Sequence, residues 1–425
     1  MKGSVIAFIT GFCLCLASSV GAQGKFPLKP EDVKDANDPL ADLTCRLAVM
    51  TPRVPSSFSG MPEGLTGQVS VFTVRLGPAA QLSPLLFAPS PPVKLYIDKD
   101  ADKDFSDETP VSGTPVTLGA DTIESQQFAG MKQRPGDALH VYDFGPVLIP
   151  VTTAGAKAEL KFRVLAAVGD SGEHALLLRY DGVRGGEVRL GEHAYRVVVA
   201  DANCDGRFDG TVSVPVSGPS FDAFGIDLNG DGAFDMNLQS GDIELMPLPK
   251  MLCLNDVYYG IQVAPDGSAI ALEKVEPKLG TLEMATPGVE LVVLCDCGYQ
   301  RLGGGEGKWR LPAGVYMLLQ IGLKATDQAG DTWTLTGHGG SKELQEFRIA
   351  ENQTTSLPAV GPPFTSKADT ASMGDTLLLS FSLAGKADEQ YSPGAVKNGK
   401  QLPPPKFEIA DESGKVVLAD TFQYG

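Results

Sequence analysis

The sequence predicts an all-β protein built from two to three β-sandwich-like domains. Three observations carry that prediction. The 425 residues include 49 glycines and 31 prolines, a high density of turn formers. Apolar residues fall in short runs, many alternating with polar ones, as half-buried strands require. The chain is also longer than a single core usually organises.

Residues 1–22 read as a secretory signal. Lys2 gives the positive start, Val5 to Leu16 the apolar core, and Val20-Gly21-Ala22 a small-residue cleavage site. The apolar run is too short to span a bilayer, and no later segment is continuously apolar for long enough. The remaining chain is expected to be exported, either to a periplasm or to the extracellular space and cell surface. The full chain carries a net charge of −17. That excess of acid argues against nucleic acid and against anionic membrane surfaces as partners.

Residues 23–285 read as one large β-rich domain. Gln68 to Arg75 alternates like a strand, and Val93 to Ile97 is a second strand that runs straight into an acidic loop. Residues 141–199 form a meander punctuated by Gly and Asp. Ala194 to Ala200 is rich in β-branched residues and reads as a strand, not a helix. Pro215, Gly218 and Pro219 exclude a helix through the connector after it. Val257 to Val263 and Ala269 to Val275 flank the hairpin turn Ala264-Pro-Asp-Gly-Ser268.

Near residue 286 the pattern resets. Residues 286–365 read as a smaller sandwich, with strands at Val289 to Leu294, Tyr316 to Leu323 and Trp333 to Thr336. Leu311-Pro-Ala-Gly-Val-Tyr316 resembles the start of a strand in transthyretin-like sandwiches. The Gly-rich run Gly303 to Lys308 is not a phosphate loop, because Leu302 stands where its first Gly should be and Trp309 follows the Lys. Residues 371–425 form a last, partial β unit, expected to be completed by further chain or by a partner.

Outside the signal the cysteines are Cys45, Cys204, Cys253, Cys295 and Cys297, an odd number, so at least one has no partner within the chain. Cys295 and Cys297 alternate on one strand face, but no nearby Cys or His pair completes a tetrahedral zinc site.

The chemistry is concentrated in three acidic loops. Two share one pattern: Asp201-x-Asn203-x-Asp205-Gly206-Arg207-Phe208-Asp209 and Asp227-x-Asn229-x-Asp231-Gly232-Ala233-Phe234-Asp235. The third, earlier in the chain, has Asp98, Asp100, Asp102 and Asp104, with Lys103 in place of the Gly and Phe105 at the eighth position. Short oxygen-bearing side chains at alternate positions surround a hard cation, and the sixth-position Gly permits the turn. Arg207 and Ala233 would contribute backbone carbonyls, which leaves their side chains free to vary. These spacings resemble the calcium loops of EF-hands and dockerin modules, and the resemblance implies Ca2+ as the ligand. The twelfth residue, a bidentate Glu in that family, is Val212 or Leu238 here and Thr109 in the earlier loop. Asp222, Asp242 and Glu244 are the nearest candidates to replace it.

The chain is therefore expected to be an exported, bacterial-type, calcium-binding β-protein with a structural, adhesive or macromolecule-binding role. Its partner would be another cell-surface protein or a polysaccharide. A hydrolase acting on polysaccharide and a dockerin-like docking module are the alternatives. Neither H-E-x-x-H nor G-x-S-x-G occurs in the chain, and no catalytic residue is assigned.

Overall fold

The computed structural model describes residues 24–31, 45–50, 54, 57–76, 81–119, 122–128, 131, 138–153, 156–170, 172–180, 182–216, 221–238, 242–304, 306–373, 376–392 and 394–422. The expected signal at 1–22, and Gly218 and Pro219 of the connector, lie outside them. Strand makes up 57% of the chain and helix 3%, so the all-β prediction holds. Among the described residues no helix is long and apolar enough to cross a membrane.

Among the described residues, four sheets of four or five strands organise 24–275, with a two-stranded ribbon of Met236–Asn237 and Asp242–Ile243 beside them. Sheet I runs Ser70–Leu76, Gln81–Ala88, Lys94–Ile97, Val111–Ser112. Sheet II runs Cys45–Met50, His174–Tyr180, Ala156–Gly169, Leu139–Thr153, Thr114–Val116. Sheet III runs Leu245–Pro247, Ala223–Ile226, His193–Ala200, Val183–Leu190, Lys29–Pro30. Sheet IV runs Gly24–Pro27, Ala269–Val275, Val257–Val263, Met251–Leu254.

Side-chain alternation fixes how these sheets stack. On sheet II, Val164, Ala166, Leu176 and Leu178 pack against Phe72, Leu85 and Phe87 of sheet I. The intervening residues Leu165, Ala167, Ala175 and Leu177 pack against Val198 and Ala200 of sheet III. Val197 and Val199 then face Ile261, Ile270 and Leu272 of sheet IV. Sheets II and III are thus buried on both faces, which is why their strands read as nearly continuous apolar runs. A further loop layer, carrying Phe58, Met61 and Phe105, covers the outer face of sheet I.

The rest of the chain packs a three-stranded sheet on a ten-stranded one, around Leu282, Leu291, Val293, Tyr316, Ile321 and Phe347. Within the smaller sheet Leu279–Met284 pairs in parallel with Thr354–Leu357. Thr365–Met373, Thr376–Ala384 and Glu389–Tyr391 belong to the same large sheet as Val289–Cys295, so strands on both sides of residue 365 share it. Lys406–Ala410 and Val416–Thr421 form a separate two-stranded hairpin. Cys204, Cys253, Cys295 and Cys297 are all unbridged.

Candidate metal centre

Each acidic loop begins one residue beyond a strand end. Asp98 follows Lys94–Ile97, Asp201 follows His193–Ala200, and Asp227 follows Ala223–Ile226. The first Asp of each loop still uses its backbone N–H to extend the ladder by one bond. The acceptors are the carbonyls of Pro84 at 3.3 Å, Gly182 at 2.9 Å and Arg196 at 3.0 Å. Strand pairing therefore fixes where the loop starts, and the aspartate side chain enters the turn from a rigid base.

The three turns share one backbone conformation. The fourth residue is left-handed in each, with φ of 67° at Ala101, 56° at Cys204 and 79° at Gly230. The sixth is also left-handed, at 68° for Lys103, 79° for Gly206 and 85° for Gly232. Side-chain oxygens hold that shape. The sixth N–H donates to the first carboxylate at 3.1 Å (Lys103 to Asp98), 2.8 Å (Gly206 to Asp201) and 3.0 Å (Gly232 to Asp227). The seventh N–H donates to the fifth carboxylate, at 2.7 Å from Asp104 to Asp102 and 2.8 Å from both Arg207 to Asp205 and Ala233 to Asp231. The eighth residue is a buried ring in all three: Phe105, Phe208 and Phe234. The loops are one structure built three times, and Lys103 adopts it without the Gly that the other two have.

The loops differ in what closes them. At the loop beginning with Asp227, oxygens of Asp227, Asp231 and Glu244 lie within 4.8 Å of one another, a group that could hold a metal ion. Glu244 reaches this position through register. Gly225 pairs with Leu245, so the next step of the ladder, where Ile226 N–H donates to Glu244 O at 2.8 Å, puts Glu244 beside Asp227. Its carboxylate also accepts the N–H groups of Leu228 at 2.7 Å, Asn229 at 3.0 Å and Asp235 at 3.2 Å. Asn229 and Asp231 are bonded to each other at 3.2 Å on the solvent side. Ala233 is exposed, and Asp235 is half-buried beside Glu244.

At the Asp98 loop, oxygens of Asp98, Asp100 and Asp102 gather within the same 4.8 Å. Burial pushes the Asp98 carboxyl up, against the pull of the Lys103 and Ala101 N–H groups. Asp104 is turned to Ser106, whose hydroxyl and N–H hold it below the usual carboxylate range. Glu108, just past the loop, accepts the Lys99 N–H at 2.6 Å.

The Asp201 loop is the most buried. Asp201, Asn203 and Asp205 are all inside, and Asp209 is half-buried. Arg207 does not turn its guanidinium into the loop but clamps Asp209 at 3.0 and 2.6 Å. Burial pushes the Asp201 carboxyl up to about 7. Among the described residues the three-carboxylate grouping of the other two loops does not recur here.

The sequence pattern located all three turns, and the structure brings Glu244 to one of them. A strand register could have pointed to it, since the residue opposite the last strand position is set once the pairing is known. Asp242 has no described side chain. Cys295 ends a strand of the ten-stranded sheet and Cys297 lies in the turn that follows it, not on the same strand; both are buried, with the Cys297 N–H 3.3 Å from Cys295 Sγ. Comparison with family models, with curated proteins and with solved structures gave no match.

Proposed function

We propose that this chain is an exported calcium-binding β-protein whose acidic loops stiffen strand ends for a structural, adhesive or macromolecule-binding role. The observation that carries the reading is the convergence of Asp227, Asp231 and Glu244 on a turn whose backbone already has the shape repeated in the other two loops. All the donors are oxygens, the preference of a hard cation such as Ca2+. Bound calcium would replace carboxylate repulsion with attraction at the point where strands leave the sheets. The exposed apolar run Val416, Val417 and Leu418 favours a macromolecular contact.

The hydrolase alternative would use the cavity of about 590 Å³ that contains Glu290 and Glu306. Glu290 is paired with Arg301 at 2.6 Å, and Glu306 is the other carboxylate lining that cavity. Polysaccharide cleavage that is lost in Glu306→Gln would favour that alternative.

The deciding measurement is calorimetric titration of calcium into chelator-treated protein. Saturable binding that weakens in Asp227→Ala supports the reading. Absence of binding in the unsubstituted protein rejects it.

A further inference from the structure

Building on that reading, we infer that the Asp201 loop encloses a buried calcium ion through Asp201, Asn203 and Asp205, with Asp222, the residue just before the neighbouring strand Ala223–Ile226, as the ligand that closes the site. An orphaned oxygen points there. Asp222 has no exposed surface; its Oδ2 accepts the Gly210 N–H at 2.7 Å, and its Oδ1 has no hydrogen-bond partner. Register explains its position. Ala200 pairs with Ala223, so the next step of the antiparallel ladder sets Asp201 opposite Asp222.

Two buried carboxylates facing each other at the ends of paired strands destabilise the pair unless a proton or a cation comes between them, and a cation also serves the oxygens of the loop. Arg207, on the same loop, pairs its guanidinium with Asp209; its charge also reaches Asp205 and Asp222, but it leaves the Asp222 Oδ1 without a hydrogen-bond partner. The Asn203 side chain lies on the loop side, with its Oδ1 accepting the Asp205 N–H at 2.9 Å and its Nδ2 edge towards Gly210. A Cβ added to Gly210 would lie 3.1 Å from Asp222 Oδ2 and 3.4 Å from Asn203 Nδ2. Asp222 thus replaces the twelfth-position ligand that Val212 cannot provide. A divalent cation would partner the orphaned oxygen and offset the facing charges.

This site would act on more of the molecule than the exposed Asp227 loop does. Ala202 packs in the core between sheets II and III, Cys204 in the core between I and II, and Phe208 in the core between III and IV. An ion held by this loop therefore ties together all three interfaces of the stack.

The test is the thermal midpoint of the full chain, in chelator and in millimolar calcium, for the unsubstituted protein and for Asp222→Asn and Asp201→Asn. In Asp222→Asn, removing one of the facing charges should raise the midpoint in chelator and shrink the gain on adding calcium, so the two effects have opposite signs; Asp201→Asn, whose carboxylate accepts the Asp205 and Gly206 N–H groups, should lose stability in chelator as well as its calcium response. Calorimetry should show one class of site weakened about tenfold or more in Asp222→Asn, since affinity follows ligand charge. Equal destabilisation of both variants in both buffers would make the cluster a plain hydrogen-bonded knot and overturn the inference. Unchanged calcium binding in Asp222→Asn, alongside a lost site in Asp227→Ala, would overturn it while leaving the calcium reading intact. No calcium effect on the unsubstituted protein would overturn both.

Discussion

At the scale of single residues, the Asp98 loop shows what its turn costs. Lys103 and Ala101 sit at φ of 68° and 67°, where an L-residue is strained. Left-handed backbone costs a non-glycine residue roughly 1–2 kcal/mol, and glycine gives back about 0.5–1 of that in unfolded-state entropy. Lys103→Gly should therefore stabilise the protein by about 0.5–1 kcal/mol, read as a raised urea midpoint. Gly232→Ala, at φ of 85°, should have the opposite sign. Glu244 is a second such position, because its two oxygens face backbone N–H groups only. Glu244→Gln must turn an amide N–H towards one of them. A loss of about 1–3 kcal/mol is expected even in chelator, with weaker calcium binding in addition.

At the scale of elements, each loop is held by the ring at its eighth position. Phe105 is fully buried and stacks on Phe58 with centroids 5.4 Å apart. Phe105→Ala should cost about 3–5 kcal/mol and detach the 58–69 layer from sheet I, visible as faster hydrogen exchange there. The contact between sheets I and II also contains a titrating group. The His174 ring lies 2.8 Å from the Ser70 hydroxyl and edge-on to Phe87, and burial lowers its pKa from 6.5. Above that pH the ring is neutral whether the chain is folded or not. Below it the unfolded chain takes up a proton that the folded chain resists, so stability is lost as pH falls. Urea midpoints should drop between about pH 7.5 and about pH 5, and His174→Gln, which cannot titrate, should flatten that slope.

At the scale of the whole molecule, ion binding and stability should be unevenly distributed. Anything that binds the folded state alone stabilises it by mass action, about 2.7 kcal/mol at a hundredfold excess over the dissociation constant. Hydrogen exchange with and without calcium should therefore change most around residues 195–250 and least in the Val289–Leu323 strands. The hairpin of Lys406–Ala410 and Val416–Thr421 should exchange fastest in either buffer. All six residues of its second strand are exposed, its ring contact with the large sheet is made by Phe422 on Phe381, and a two-stranded hairpin with so little cover is marginal in water. Protection there equal to that of His193–Ala200 would mean that this hairpin is covered.

The sequence alone determined what is local. Alternation placed Val257–Val263 and Ala269–Val275 at the observed boundaries, because the period of a strand is written in consecutive residues. The acidic turns were equally legible, since their oxygens, their left-handed positions and their anchoring ring all lie within nine residues. The sequence offered Asp222, Asp242 and Glu244 to close the two later turns, but the choice among them was not legible. Glu244 and Asp222 reach their loops only because antiparallel pairing sets them one step beyond Gly225–Leu245 and Ala200–Ala223, and register is a property of two strands together. The stacking of four sheets was hidden for the same reason. A valine run such as Val197–Val199 shows that both faces of a strand are buried, but only the tertiary structure decides which sheet lies against each face.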